Sequence, residues 1–184
     1  MTPQELLDLI TSRRSSVLID RERAVDEEVI NEMITAAQYA PNHKRTWPAR
    51  YAVVSGVSQL VLGNAIADSM AKRGDEKFKV EKTRTKYSRS PYVIVVASAK
   101  GESDVETEEN KYAVAAGIQN MMLVAHAHGL ATLWGSPAKG ANKTITKVCG
   151  FHDTDHVLGI IYVGWPSHPV EHVHRPEPHV NRLQ

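Results

Sequence analysis

Arg13, Arg14 and Ser15 place two guanidinium forks and a hydroxyl in consecutive positions. That grouping suits a phosphate monoester, because each arginine offers paired N–H donors that match phosphate oxygens. Two cations at the end of a helix, favoured by its dipole, are the plainer reading of the same residues. A second grouping, Ala40-Pro41-Asn42-His43-Lys44-Arg45-Thr46, gathers an amide, an imidazole and two cations between a helix and a strand. Binding groups concentrate in such loops, and a solvated polar loop has the same composition.

Six of the nine histidines fall between residues 152 and 179. Imidazole is a common metal ligand, so His168, His172 and His174 raise the idea of zinc. Pro169 inside the His168/His172 pair blocks a regular helical presentation. His126 and His128, two apart on a helix, point about 200° from each other. No metal is therefore expected. Cys149 has no neighbouring base in the sequence and reads as a packed thiol, not a nucleophile. Lys72–Arg89 holds eight Lys/Arg against three acids. Without an aromatic platform it reads as a solvated face, and no nucleic-acid partner is expected. The chain has no G-x-G-x-x-G turn, Walker A loop or H-E-x-x-H, which disfavours a conventional dinucleotide fold and a zincin.

The elements that must position these residues are legible from caps and periodicity. Thr2-Pro3-Gln4-Glu5 predicts a helix start, with Thr2 as cap, Pro3 at the first helical position and Glu5 closing a capping box. Leu6, Leu7 and Ile10 form its apolar face up to Arg13. Asp26 opens a second helix with Val29, Ile30, Met33, Ala36 and Ala37 at helical spacing, stopped by Pro41. Tyr51–Val54 reads as a buried strand. A third helix from Ser58 to about Lys72 turns Leu60, Ile66 and Met70 inward, and Lys72–Arg89 is a solvated helix or a mobile excursion over a pocket. Tyr92–Ala97 is a strand, Glu102–Glu109 an acidic loop, and Asn110–His128 a long helix stopped by Gly129. That helix is small or apolar on most of its surface, which points to burial on several sides, a second subunit included.

Leu130–Trp134 is a strand leading to Gly135-Ser136-Pro137, and Asn142–Val148 a short helix closed by Gly150. Val157–Val163 is apolar enough for a sheet centre covered on both faces. The tail from Trp165 is not helical. The alternation predicts one α+β domain over residues 1–184, a three-layer sandwich with a mixed central sheet and helices on both faces. Composition agrees: 184 residues, 42% hydrophobic and 23% charged, is an ordinary globular chain. Lys+Arg 22 against Asp+Glu 21 is too balanced for a dedicated nucleic-acid binder. One cysteine excludes an intrachain disulfide framework. The apolar runs fall far short of the roughly 20 residues of a membrane span, and the first residues lack a signal-peptide pattern. A soluble, cytoplasmic protein without a membrane partner is expected.

Arg13-Arg14-Ser15, Ala40-Pro41-Asn42-His43-Lys44 and Gly129-Leu130-Ala131-Thr132-Leu133-Trp134-Gly135-Ser136 resemble, in order and spacing, the FMN-dependent nitroreductase family. The likeness is to its short-chain bacterial branch, and Val157–Val163 with Gly164-Trp165-Pro166 matches the family's late strand and turn. The resemblance implies a homodimer with two FMN sites at its interface. It implies that Arg13 and Arg14 bind the FMN phosphate with Ser15, and that Arg175 is a late phosphate-binding cation. Tyr39 is a further flavin contact, and His43 reaches the partner subunit's flavin. Trp134, Gly135 and Ser136 run beside the isoalloxazine. The implied activity is ping-pong transfer of a hydride from NAD(P)H, through the flavin, to a nitroaromatic or quinone, with no essential side-chain acid or base. Trp47-Pro48-Ala49 stands where many relatives have Gln-Pro-Trp or Glu-Pro-Trp, and Gly135 where many have Arg. Desaturase or dehalogenating chemistry on the same flavin fold stays open, as does a non-catalytic flavin or metal-binding protein.

Overall fold

The computed structural model describes residues 1–170 and 173–183. Helix α1 (Pro3–Ser12) starts with the capping box read from the sequence. Thr2 Oγ1 accepts from the Glu5 N–H at 3.2 Å, and Glu5 Oε2 accepts from the Thr2 N–H at 2.7 Å. Two otherwise orphaned donors are satisfied. The apolar face of α1 behaves differently: Leu6, Leu7 and Ile10 all stay exposed on the single chain. Helix α2 (Glu27–Gln38) is capped by Asp26 Oδ1, which accepts from the Glu28 N–H at 2.9 Å. Its Ile30, Met33 and Ala37 are buried.

Strands β1 (Ala49–Ser55), β2 (Tyr92–Ser98), β3 (Ala131–Gly135) and β4 (His156–Gly164) form one sheet in the order β1-β2-β4-β3. Every pair of neighbours is antiparallel. The parallel pairing expected of a mixed sheet is confined to a single bridge between Ser15 and Thr132. The intervening helices α3 (Val57–Lys72), α4 (Lys77–Arg84), α5 (Asp104–Ala127) and α6 (Asn142–Cys149) are excursions that return the chain to the sheet. Across β1–β2 and β3–β4 the chain comes back to the end it left, so adjacent strands run in opposite directions.

Alternation along β2 and β4 builds two cores. Val93, Val95, Ile160 and Tyr162 face Leu62 and Ile66 of α3 and Ile145 of α6. Ile94, Val96, Ile161 and Val163 face Met33 of α2 and Met121 of α5. Side chains alternate between faces every second residue, so strands covered on both sides read as continuous apolar runs. The result is the expected three-layer sandwich.

Four expectations are corrected. β1 is an edge strand with only Val54 buried, because nothing among the described residues pairs beyond it. Leu60 is exposed and Leu62 turns inward, giving Leu62, Ile66 and Met70 the four-residue spacing of one helix face. Lys72–Arg89 is neither solvated throughout nor an excursion: α4 and a 3₁₀ turn at Lys86–Arg89 bury Val80, Thr83 and Tyr87 against α3. Most of the acidic Glu102–Glu109 segment is helical. Ser103 Oγ accepts from the Glu106 N–H at 3.2 Å, and carboxylates in a first turn favour the helix dipole.

Helix α5 crosses α2 closely. A Cβ at Gly117 would stand 2.7 Å from the Ala37 carbonyl oxygen, a backbone atom that cannot swing aside. Gly117→Ala is therefore expected to lower stability in urea unfolding by about 1–3 kcal/mol, the usual cost of overpacking. An unchanged midpoint would mean that the two helices separate freely.

Candidate functional site

The chain leaving α1 is tied to the sheet at once. Ser15 bridges Thr132, and the Ser16 N–H donates to the Thr132 carbonyl at 3.0 Å. Arg13-Arg14-Ser15 thus runs beside the start of β3. Arg14 Nη1 donates to the Thr11 carbonyl at 2.5 Å and to the Arg13 carbonyl at 2.8 Å. To that extent Arg14 serves its own helix terminus, as the plainer reading had it. Arg13 Nη1 and Arg14 Nε, however, are buried with no hydrogen-bond partner among the described residues. A buried N–H of a charged group with no acceptor costs more than a neutral one.

Burial, then Arg175, then Arg14, hold the Arg13 guanidinium below its ordinary pKa. The arginine ion pairs among the described residues involve Arg73 and Arg84 instead. Three cations therefore meet here with no carboxylate paired to them among the described residues.

Beside them opens a cavity of about 470 Å³ with Ser12, Arg14, His126, Ser167 and His168 in its lining. His126 Nε2 lies 2.9 Å from Ser12 Oγ. Its pKa is lowered, by burial first and then by Arg13 and Arg14. From this cavity β3 runs outward to Trp134, Gly135 and Ser136. Trp134 Nε1 donates to the Leu158 carbonyl at 3.1 Å, and its indole fills the space that a Cβ on Gly159 would need. Gly135 lies over the Tyr162 ring, where a Cβ would stand 3.2 Å from Cε2. Ser136 is exposed. β3 is the sheet's other edge strand, and its outer side is bridged only at Ser15–Thr132 among the described residues.

Tyr39 and His43 lie elsewhere. Tyr39 caps the end of α2 and is 82% exposed. The loop after it holds Lys44 (φ 58), Arg45 (φ 53) and Trp47 (φ 49), three non-glycine residues in left-handed backbone. Such residues persist only where surrounding contacts over-determine them. Asn42 Oδ1 accepts from the Trp47 N–H at 2.9 Å, and Asn42 Nδ2 donates to Thr46 Oγ1 at 3.0 Å. Thr46 Oγ1 donates to Asn110 Oδ1 at 2.6 Å, and His43 Nδ1 meets Glu109 Oε2 at 2.9 Å. The loop is thus anchored near the start of α5, whereas Ser12, next to the arginine cluster, meets His126 near its end. Asn110 and His126 are sixteen positions apart on α5, roughly 24 Å at 1.5 Å per residue.

The structure therefore brings Arg13, Arg14, Ser15 and Arg175 toward the β3 residues, and sets Tyr39 and His43 at the far end. The sequence reading overlooked Ser12 and His126 as a pair and Ser167 as a lining group. No local signal joins positions 12 and 126, and His168 drew attention only as a metal candidate. Among the described residues no three His, Cys, Asp or Glu side chains converge as a metal would require. His172 lies outside the described residues. Burial pushes the Cys149 thiol up to about 11, which keeps it protonated and unreactive at neutral pH. No described helix is long and apolar enough to cross a membrane.

The nitroreductase family model matches residues 10–165. A relative in Bacillus subtilis, named "Putative NAD(P)H nitroreductase YfhC", is 28% identical over 169 residues, covering 90% of this chain and 87% of its own. The crystal structure of a nitroreductase-like family protein from Bacillus cereus matches with a TM-score of 0.79 at 25% identity, over 96% of this chain and 94% of that one. A nitroreductase with bound FMN from Bacteroides fragilis matches with a TM-score of 0.78 over 98% and 99%. At its 20% identity the likeness is one of fold.

The strain in the Asn42–Trp47 loop is directly measurable. Left-handed backbone costs a side chain roughly 1–2 kcal/mol that glycine avoids, partly offset by glycine's greater freedom when unfolded. Arg45→Gly is expected to raise stability in chemical denaturation by about 0.5–1 kcal/mol. A loss of stability would mean that the Arg45 side chain contributes contacts that outweigh its backbone strain.

Proposed function

Because the chain belongs to the nitroreductase family of oxidoreductases, we propose that it binds FMN between two copies of itself and carries electrons from NAD(P)H to a nitroaromatic or quinone-like acceptor. The observation that carries this reading is the pair of buried, unpartnered donors, Arg13 Nη1 and Arg14 Nε, beside Arg175. A phosphate monoester supplies the negative charge and acceptor oxygens that these groups lack. When bound, FMN supplies a ring that accepts two electrons from a nicotinamide and gives them to an electron-poor substrate in ping-pong order.

The chain's own residues bind, orient and screen. Arg13 and Arg175 hold the phosphate, Arg14 adds its charge from the helix end, and the exposed Ser15 hydroxyl supplies a neutral donor. The Trp134–Ser136 edge offers backbone groups to the ring's polar atoms, and Gly135 keeps that edge flat. No side chain is assigned as a proton donor. Burial pushes the Tyr87 phenol up to about 12 and raises Tyr162 as well, so both stay neutral beneath the sheet.

Tyr39 and His43 would act on the flavin of a second copy. A flavin held by the arginines of one chain lies roughly 24 Å along α5 from that chain's own His43 loop, so a partner must bring the loop. The exposed Leu6, Leu7 and Ile10 stripe on α1 supports an apolar contact between copies. Glu109 at 2.9 Å fixes the His43 ring, and the exposed Trp47 beside it would shape the space open to the acceptor. A single inert thiol suits a reducing cytoplasm.

Purified protein should be yellow and should bleach under anaerobic NADH or NADPH. Each charge-assisted contact is worth about 1.5–3 kcal/mol, so replacing Arg13 and Arg175 together by alanine should weaken FMN retention at least ~100-fold. Colourless protein that takes up no FMN, or unchanged retention in the double variant, would overturn the reading.

A further inference from the structure

We infer that His126 is a phosphate-binding residue that takes up a proton as the anion arrives, an assignment that rests on the flavin reading above. Three features place it there. Its ring lines the cavity shared with Arg14, Ser12, Ser167 and His168. Ser12 Oγ has the Leu9 carbonyl as an acceptor at 3.3 Å, which leaves Nε2 of His126 free to donate across their 2.9 Å contact. In that tautomer Nδ1 is the nitrogen that receives a proton. The third feature is charge. The groups facing the ring are Arg13 and Arg14 from the segment after α1 and His168 from the tail, while His128 on the same helix turns to Glu32 at 2.6 Å.

Without an anion, burial and the two arginines keep His126 below its ordinary pKa, so the ring is neutral near pH 7. A phosphate among these groups offsets the arginines' positive charge and sets an opposite charge near the ring. An opposite charge within a few ångströms favours the imidazolium. Binding and protonation are then linked, and each strengthens the other. A histidine placed only to hold Ser12 would show no such coupling, since the neutral ring already makes that hydrogen bond.

The test compares the wild-type holoprotein with His126→Gln, whose amide can still donate to Ser12 but cannot titrate. FMN affinity is read from the fluorescence of flavin released on dilution, between pH 5.5 and 8.5. The phosphate's own second ionisation near pH ~6 is common to both proteins, so the ratio of their dissociation constants isolates the histidine. That ratio is expected to stay near one above pH ~8 and to grow at least threefold, against the variant, by about pH 6. A ratio that stays flat while both proteins hold FMN overturns the inference and leaves the flavin reading intact. Failure of the wild type to hold FMN removes both.

A second measurement does not depend on the variant's folding. In the FMN-loaded wild type, the His126 ring followed by NMR should titrate above about 6.5, its ordinary value. Titration below that value would contradict proton uptake.

Discussion

Like charges gathered with no counterion among the described residues are the constraint on which the rest of this molecule depends. Arg13 and Arg175 lie close enough for one to lower the other's pKa, and Arg14 adds a third cation. Carboxylates reach two arginines elsewhere: Arg73 pairs with Asp75 and Arg84 with Asp68. The cluster at the end of α1 differs in burying Arg13 Nη1 and Arg14 Nε with no hydrogen-bond partner among the described residues. Holding it costs desolvation and repulsion, and the fold holds it with a helix terminus, a bridge from Ser15 to Thr132 and a tail that brings Arg175 back. An arrangement unfavourable by itself and completed by a phosphate is how a preorganised anion site is built.

Helix α5 sets the second constraint. Its near end anchors the strained loop through Asn110 and Glu109, and its far end meets the arginine cluster through His126. A rigid rod with one half-site at each end cannot fold back on itself. Two rods running past each other bring unlike ends together. The apolar stripe on α1, unburied in one chain, sits on a helix that packs against α5. Separation, rigidity and exposed apolar surface are the features on which the proposed two-copy assembly rests.

The fold was largely legible because its signals are local. The Thr2–Glu5 capping box, the Asp26 cap, and the apolar runs of β2 and β4 each announce themselves within a few residues. The edge position of β1 was not legible, since Tyr51–Val54 has the composition of a buried strand and only pairing order distinguishes the two. The helical start of α5 was missed because an acidic segment reads as solvated loop unless Ser103 is seen as its cap. Of the candidate site, the arginines and the β3 edge were visible as motifs. His126 was not, because its meaning comes from Ser12, 114 positions away. The left-handed backbone at Lys44, Arg45 and Trp47 was also invisible, since none of these is a residue type that signals a positive φ.

The central claim is that an anion, not merely a planar ring, completes the site. FMN and riboflavin share the ring and the ribityl chain and differ in the phosphate alone, so titrating the protein with each isolates that group. The account requires FMN to bind far more tightly than riboflavin, by about 100-fold or more if two charge-assisted arginine contacts are at stake. Equal affinity for the two flavins would contradict it.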